Sequence, residues 1–113
     1  MDAGAFSPEE LETLLEDAVV LGDGAAAARL FERGGVIVPG AGSVEARGRP
    51  AIAALTRDLW TNGPGYLANP RQVARSGDLA LVVGPTTVNV ARRRRNGSWR
   101  FVISLHGWDA SRL

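Results

Sequence analysis

Apolar positions recur along this chain with two different periods. From Leu11 onward, Leu14, Leu15, Ala18 and Val19 follow at helical spacing, with acidic residues between them, so the segment reads as one amphipathic helix. Ser7 stands ahead of it as a cap, Pro8 suits the first helical position, and Glu10 completes a capping box with Ser7. Gly22 ends the helix. Asp23 is placed to cap a second helix through "GAAAARLFER", with Leu30 and Phe31 as its buried anchors and Gly34-Gly35 as its stop. "GVIVPG" then reads as a brief strand closed by Pro-Gly, and the glycine-rich "GAGSVEARG" as a loop. Pro50 opens a third helix, "PAIAALTRDLW", whose stripe is Ile52, Leu55 and Leu59 with Trp60 on its flank, and "NGPG" breaks it.

The second half changes to the period of strands. "YLANPRQVARSG" is a strand interrupted by proline, the mark of an edge or a bulge. "LALVVG" follows, and then "PTTVNVARRRR" and "SWRFVISLHGW" flank Asn96-Gly97, the preferred pair for a type I′ hairpin. Simple alternation along the last segment puts Trp99, Phe101, Ile103 and Leu105 on one apolar face. Val102, Ser104, His106 and Trp108 fall on the other, a mixture suited to a subunit seam. Helices gathered first and strands afterwards predict an α+β domain, and 113 residues make it a single one, spanning 1–113.

Composition removes several chemistries. All 13 basic residues are arginine, so no lysine is available for a Schiff base. Cysteine is absent, and with it thiol nucleophiles and disulfides; His106 is the only histidine, so no metal site is expected. No basic leader or long apolar run precedes or interrupts the domain, which makes a cytoplasmic protein with no membrane partner the expectation. The run Arg92 to Arg95 lies at a hairpin tip, where charge protects strand edges. With a net charge of +1 and no interleaved aromatics beyond Trp99, it argues against a nucleic-acid partner. "PGAGSVEARG" lacks the spacing and the lysine of a phosphate-binding loop.

In this order, "LFERGGVIVPG", "GRPAI", "SGDLALVVG" and "RRNGSWRFV" resemble the SnoaL-like branch of the nuclear-transport-factor-2-like superfamily, the fold of ketosteroid isomerase. The resemblance implies a cone-shaped, curved antiparallel sheet wrapped around N-terminal helices, of cystatin-like type. It also implies an apolar cavity at the open end and often a homodimer through the sheet. The steroid isomerases' catalytic positions map here onto residues of other kinds. The aspartate base falls on Val38, the oxyanion tyrosine on Leu15, and the protonated acid near Thr86. The histidines that other members carry on the last strand fall on Ile103 and Leu105, one step out of phase with His106.

What remains is a small set of candidates. His106 has the one side chain suited to proton transfer near neutrality, and the strand phase places it at the dimer seam unless a bulge intervenes. Asp58 on the third helix and Glu45 after the first strand are possible bases if buried. Leu15, Val38, Leu55, Trp60, Tyr66, Asn89, Trp99, Ile103 and Leu105 are the expected ligand-binding lining. The reading is a protein that binds a small, largely apolar molecule in the cone, without a cofactor. Either it performs acid–base lyase, isomerase or cyclase chemistry or it serves as a dimeric binding module. A buried carboxylate or histidine inside the cone favours the enzyme.

Overall fold

The computed structural model describes residues 4–40, 44–62 and 71–107, and of residues 59–62 the backbone alone. Its first helix, α1, spans Pro8–Leu21. The Ser7 hydroxyl accepts the Glu10 amide at 3.0 Å, and Gly22 closes the helix at φ 64°, a left-handed conformation that suits glycine. α2 is short, Gly24–Arg29, with the Asp23 carboxylate accepting the Ala26 amide at 3.0 Å. The helix expected to run on through Arg33 stops there, because Phe31 begins strand β1, Phe31–Val38. Burial explains the difference. The Phe31 side chain is fully enclosed, its ring 5.2 Å from that of Phe101, and this long-range contact outweighs local helix propensity. Gly34-Gly35 is therefore no helix stop. It lies within an irregular stretch of β1, where a Cβ on Gly35 would sit 3.0 Å from the Glu32 carbonyl oxygen and the Phe31 side chain.

β2, Ala46–Arg47, is a two-residue strand inside the segment expected to be loop. α3 covers Arg49–Asn62, and β3 (Gln72–Ser76), β4 (Leu79–Val83), β5 (Thr87–Arg93) and β6 (Trp99–His106) follow. They form one sheet in the order β2-β1-β6-β5-β4-β3. Every pairing is antiparallel except β1 with β6, which is parallel. The expected α+β cone is present, but its sheet is mixed and not wholly antiparallel, the one parallel pair lying next to the short edge strand β2.

The β5–β6 turn is not type I′. Arg94 N–H bonds to Ser98 C=O at 2.7 Å and Gly97 N–H to Arg94 C=O at 3.0 Å, with positive φ at Gly97 (87°) but not at Asn96. That is a three-residue loop, a tight turn followed by a left-handed glycine. At its base Arg92 pairs with Glu32 at 2.7 Å and Arg93 with Asp78 at 2.9 Å.

The core lies between the helices and one face of the sheet. Leu11, Leu15, Ala18 and Val19 of α1 meet Phe31, Ile37, Ile52, Ala91, Trp99 and Phe101 there. Among the described residues no helix is long and apolar enough to cross a membrane. α2 lies so close to α3 that a Cβ on Gly24 would stand 2.3 Å from the Ala53 carbonyl oxygen. Gly24→Ala is expected to destabilise the protein by about 1–3 kcal/mol, because the two backbones must separate. Thermal unfolding measures it, and an unchanged Tm refutes the close packing.

Candidate functional site: a buried polar chain on the inner face of the sheet

β6 carries one residue more than its partner. Val90 pairs with Ile103 and Ala91 with Phe101, leaving Val102 unmatched in the β5–β6 ladder. A bulge of this kind reverses the side to which the following side chains point. Trp99 and Phe101 before it are 2% and 0% exposed, Ser104 after it is 0% exposed, and Ile103 is 44% exposed. The unbroken alternation expected for this strand is thus corrected: Ile103 and Leu105 lie on the outer face. Ser104 and His106 share the inner face with Phe101. The placement of His106 at an outer seam is corrected by the same bulge.

Ser104 belongs to a row that crosses the sheet. Ile37, Ser104, Asn89 and Val82 are successive cross-strand partners, and each is almost wholly buried. From α1, Glu12 meets this row with no exposed surface. Asn89 Nδ2 donates to Glu12 Oε1 at 2.5 Å, and the Ser104 hydroxyl donates to Asn89 Oδ1 at 2.6 Å. Ser104 Oγ is also 2.8 Å from His106 Nε2. With the Asn89 amide assigned this way, the serine's single proton is engaged. His106 Nε2 must then be the donor in the last bond, so its proton sits on Nε2 and the ring's lone pair on Nδ1. A four-membered chain therefore runs from a buried carboxyl group to an imidazole. Its members are hydrogen-bonded to one another, which is what makes polar groups tolerable in an apolar interior.

Burial pushes the His106 pKa down from 6.5 to about 4, since the surroundings disfavour the charged ring. At neutral pH the imidazole is uncharged and able to accept a proton. Chemically the arrangement provides a neutral base whose orientation is fixed, through two intervening side chains, by a carboxyl group on another element.

Several sequence candidates fall elsewhere. Leu15 and Trp99 are core residues, and Leu55 is half-buried against the same core. Trp99 also stacks under the guanidinium groups of Arg75 and Arg93, 5.4 and 5.7 Å from the ring centre. Val38 is the cross-strand neighbour of Leu105 on the outer face. Asp58, Glu45 and Thr86 are exposed, and Glu45 pairs with Arg47 at 3.1 Å. The Trp60 side chain, Tyr66 and Trp108 lie outside the described residues. Of the expected set, His106 and Asn89 are brought together.

Glu12 was missed by a reading that followed only apolar residues. Its signal was available, because Pro8, Leu11, Glu12, Leu15, Ala18 and Val19 fit one helical stripe and Glu12 is its sole charged member. Simple alternation puts Ser104 on the wrong face, since no local sequence mark announces the bulge.

No family model and no curated protein matches the chain. Solved structures do. An NTF2-like protein with a cystatin-like fold from Novosphingobium aromaticivorans is similar at TM-score 0.67 and 28% identity, over 86% of this chain and 76% of that one. A ketosteroid isomerase-like protein from Erwinia carotovora gives 0.70 and 20%, over 86% and 89%. A proposed calcium/calmodulin-dependent protein kinase type II association domain from Thiobacillus denitrificans gives 0.73 and 17%, over 93% and 98%. The chain has the cystatin-like fold of the nuclear-transport-factor-2-like superfamily, as the sequence resemblance implied.

The lowered pKa carries a sign. Between pH 6.5 and about 4 the unfolded chain binds a proton at His106 that the folded chain does not. Stability from this group is therefore complete above pH 6.5 and falls as pH drops towards 4, by at most about 3 kcal/mol. Denaturant unfolding of the wild type and His106→Gln across this range checks it. The gap between their pH profiles should open over that window, and parallel profiles contradict the assignment.

Proposed function

We propose that this protein binds a small, largely apolar organic molecule in the cone and moves a proton on it, as a lyase, isomerase or cyclase does. The observation that supports this reading is the hydrogen-bonded chain Glu12–Asn89–Ser104–His106 buried between α1 and the sheet. A purely structural core has no need of a carboxyl group and an imidazole joined through two buried side chains, since apolar residues of the same volume stabilise at least as well. His106 acts as the general base. Its neutral ring takes a proton from a carbon next to a carbonyl, and the electron pair left behind moves onto the carbonyl oxygen. The proton then returns at another atom or leaves with a departing group. Ser104, Asn89 and Glu12 position the ring. Among the structural neighbours, one is described as ketosteroid isomerase-like, which is consistent with chemistry of this class in a cone of this kind.

A neutral probe of positioned bases tests the reading without knowledge of the substrate. The protein is expected to accelerate the ring opening of 5-nitrobenzisoxazole, with kcat/KM rising through pH about 4 as His106 loses its proton. His106→Ala should lower the rate on the order of a hundredfold while binding of neutral Nile red persists. Glu12→Gln should change kcat more than KM. A wild-type rate equal to that of buffer, or unaltered by His106→Ala, overturns the reading.

The outer face supports a second proposal, a homodimer through the sheet. Val36, Ile103, Val90 and Leu81 are cross-strand partners in one apolar row, with Ile103 and Leu81 more than 40% exposed. Val38, Leu105, Val88 and Val83 make the next row. Such a surface is better suited to a second sheet than to water. Light scattering should give a dimer at micromolar concentration and a monomer for Ile103→Lys. A monomeric wild type removes the proposal.

A further inference from the structure

The arginine run is only partly explained by its hairpin. Arg92 and Arg93 are engaged by Glu32 and Asp78, but Arg94, which lines two pockets at the hairpin, is in no ion pair among the described residues. Arg33, Arg49, Arg94 and Arg100, with Glu32, line a pocket of about 490 Å³ at the hairpin end of the sheet. These arginines come from four places in the chain: the irregular part of β1, the start of α3, the β5–β6 turn and β6. Arg49 is fixed by donating from Nε and Nη2 to the Phe31 carbonyl oxygen, at 3.3 and 3.0 Å. Arg33 and Arg94 are exposed, and no carboxylate among the described residues lies within 4 Å of either. Glu32, the one carboxylate among the pocket's described lining residues, already accepts Arg92 Nε at 2.7 Å. Arg33 and Arg94 thus bring two guanidinium groups with no carboxylate within ion-pair distance to a concavity that Arg49 and Arg100 also line, and positive charge gathered in this way favours an anion among them.

Arg49 and Arg100 also form part of the wall of a neighbouring groove of about 600 Å³, which α1, α2 and the start of β6 enclose. Leu14, Leu21 and Leu30 give it apolar walls, and Leu21 is 75% exposed there. Asp17 and Asp23 line the same groove and offset the charge of Arg29, Arg49 and Arg100 there, whereas the arginine pocket holds four arginines against Glu32 alone among its described lining residues, so an anionic group is drawn to the latter.

We propose that these two adjoining concavities bind a small amphipathic phosphate. The phosphate sits among Arg33, Arg49, Arg94 and Arg100, and the apolar body lies along Leu14, Leu21 and Leu30. A dianionic phosphate suits this cluster better than a monocarboxylate does, because it carries more charge and the exposed forks of Arg33 and Arg94 can each give paired hydrogen bonds to its oxygens. A nucleic acid fits these surfaces less well. Phe31, Trp99 and Phe101, the chain neighbours of Glu32 and Arg100, are 0%, 2% and 0% exposed and are not available for base stacking.

Titration calorimetry at low salt tests the site with octyl phosphate, inorganic phosphate, octyl glucoside and a single-stranded oligonucleotide. Octyl phosphate should bind best, at least tenfold tighter than octyl glucoside, and weaken as salt rises. Arg33→Ser with Arg94→Ser should weaken octyl phosphate at least tenfold and leave octyl glucoside unchanged; both residues are exposed, and circular dichroism confirms the fold. Leu21→Glu should weaken octyl phosphate while sparing inorganic phosphate. Absence of heat with octyl phosphate, or equal binding by the double variant, overturns the proposal. Equal affinity for inorganic and octyl phosphate overturns the role of the groove. Tighter binding of the oligonucleotide that the double variant loses replaces it with a nucleic-acid surface. The neutral-probe assay for His106 is independent of all these outcomes.

Discussion

Val102 has no opposite number in β5, and much of the interior depends on that one extra residue. Because side chains alternate along a strand, a shift of one position exchanges the two faces for everything that follows. Ahead of the bulge, Phe31, Phe101, Ala91 and Ala80 run across the sheet as a dry row. Beyond it the next inward row contains Ser104 and Asn89. β1 accommodates the irregularity at the same level, where Glu32 to Gly35 lie between its pairings to Phe101 and Ile103. One strand thereby serves a packed core at one end and a polar site at the other.

The polar site is held by its connections. Each bond joins a different element or a different position, from α1 to β5 and from β5 to β6, so no member can turn away without disturbing the next. In a low-dielectric interior such bonds are stronger than in water, and a missing one costs correspondingly more. The same surroundings keep the His106 ring neutral. Desolvation thus does two things here: it makes the network interdependent, and it preserves a base in its unprotonated form.

Much of the fold was legible in the sequence, because local chemistry and global arrangement agree there. Ser7, Pro8 and Gly22 mark the ends of α1, and Asp23 caps α2, as their side chains or backbone freedom dictate. The failures have a common cause. Local pattern places Phe31 in a helix because its partner Phe101 is distant in sequence, and Asn96-Gly97 suggests a type I′ turn because the same pair fits two loop lengths. The site was less legible still. His106 and Asn89 were selected as polar residues in apolar strands, yet the face they share depends on a bulge with no local signature. Glu12 was legible in principle as the charge in an apolar stripe, and it needed only to be read as an exception.

The sheet order has a consequence for how the molecule is made. β6, the final strand of the described chain, lies between β1 and β5, and β1 has no other long partner. During synthesis the three helices and the β3–β4–β5 meander can each begin from contacts close in sequence. The two sides of the sheet cannot join until residues 99 to 106 have emerged. Trp99 adds a second tie of the same kind, its amide donating to the Ala5 carbonyl at 2.8 Å across nearly the whole chain. Closure of the fold is therefore a late event built on contacts of long sequence separation, the class that forms slowly. Until it happens, β1 and β5 each present an open edge, the interval in which a nascent chain is most exposed to wrong pairing.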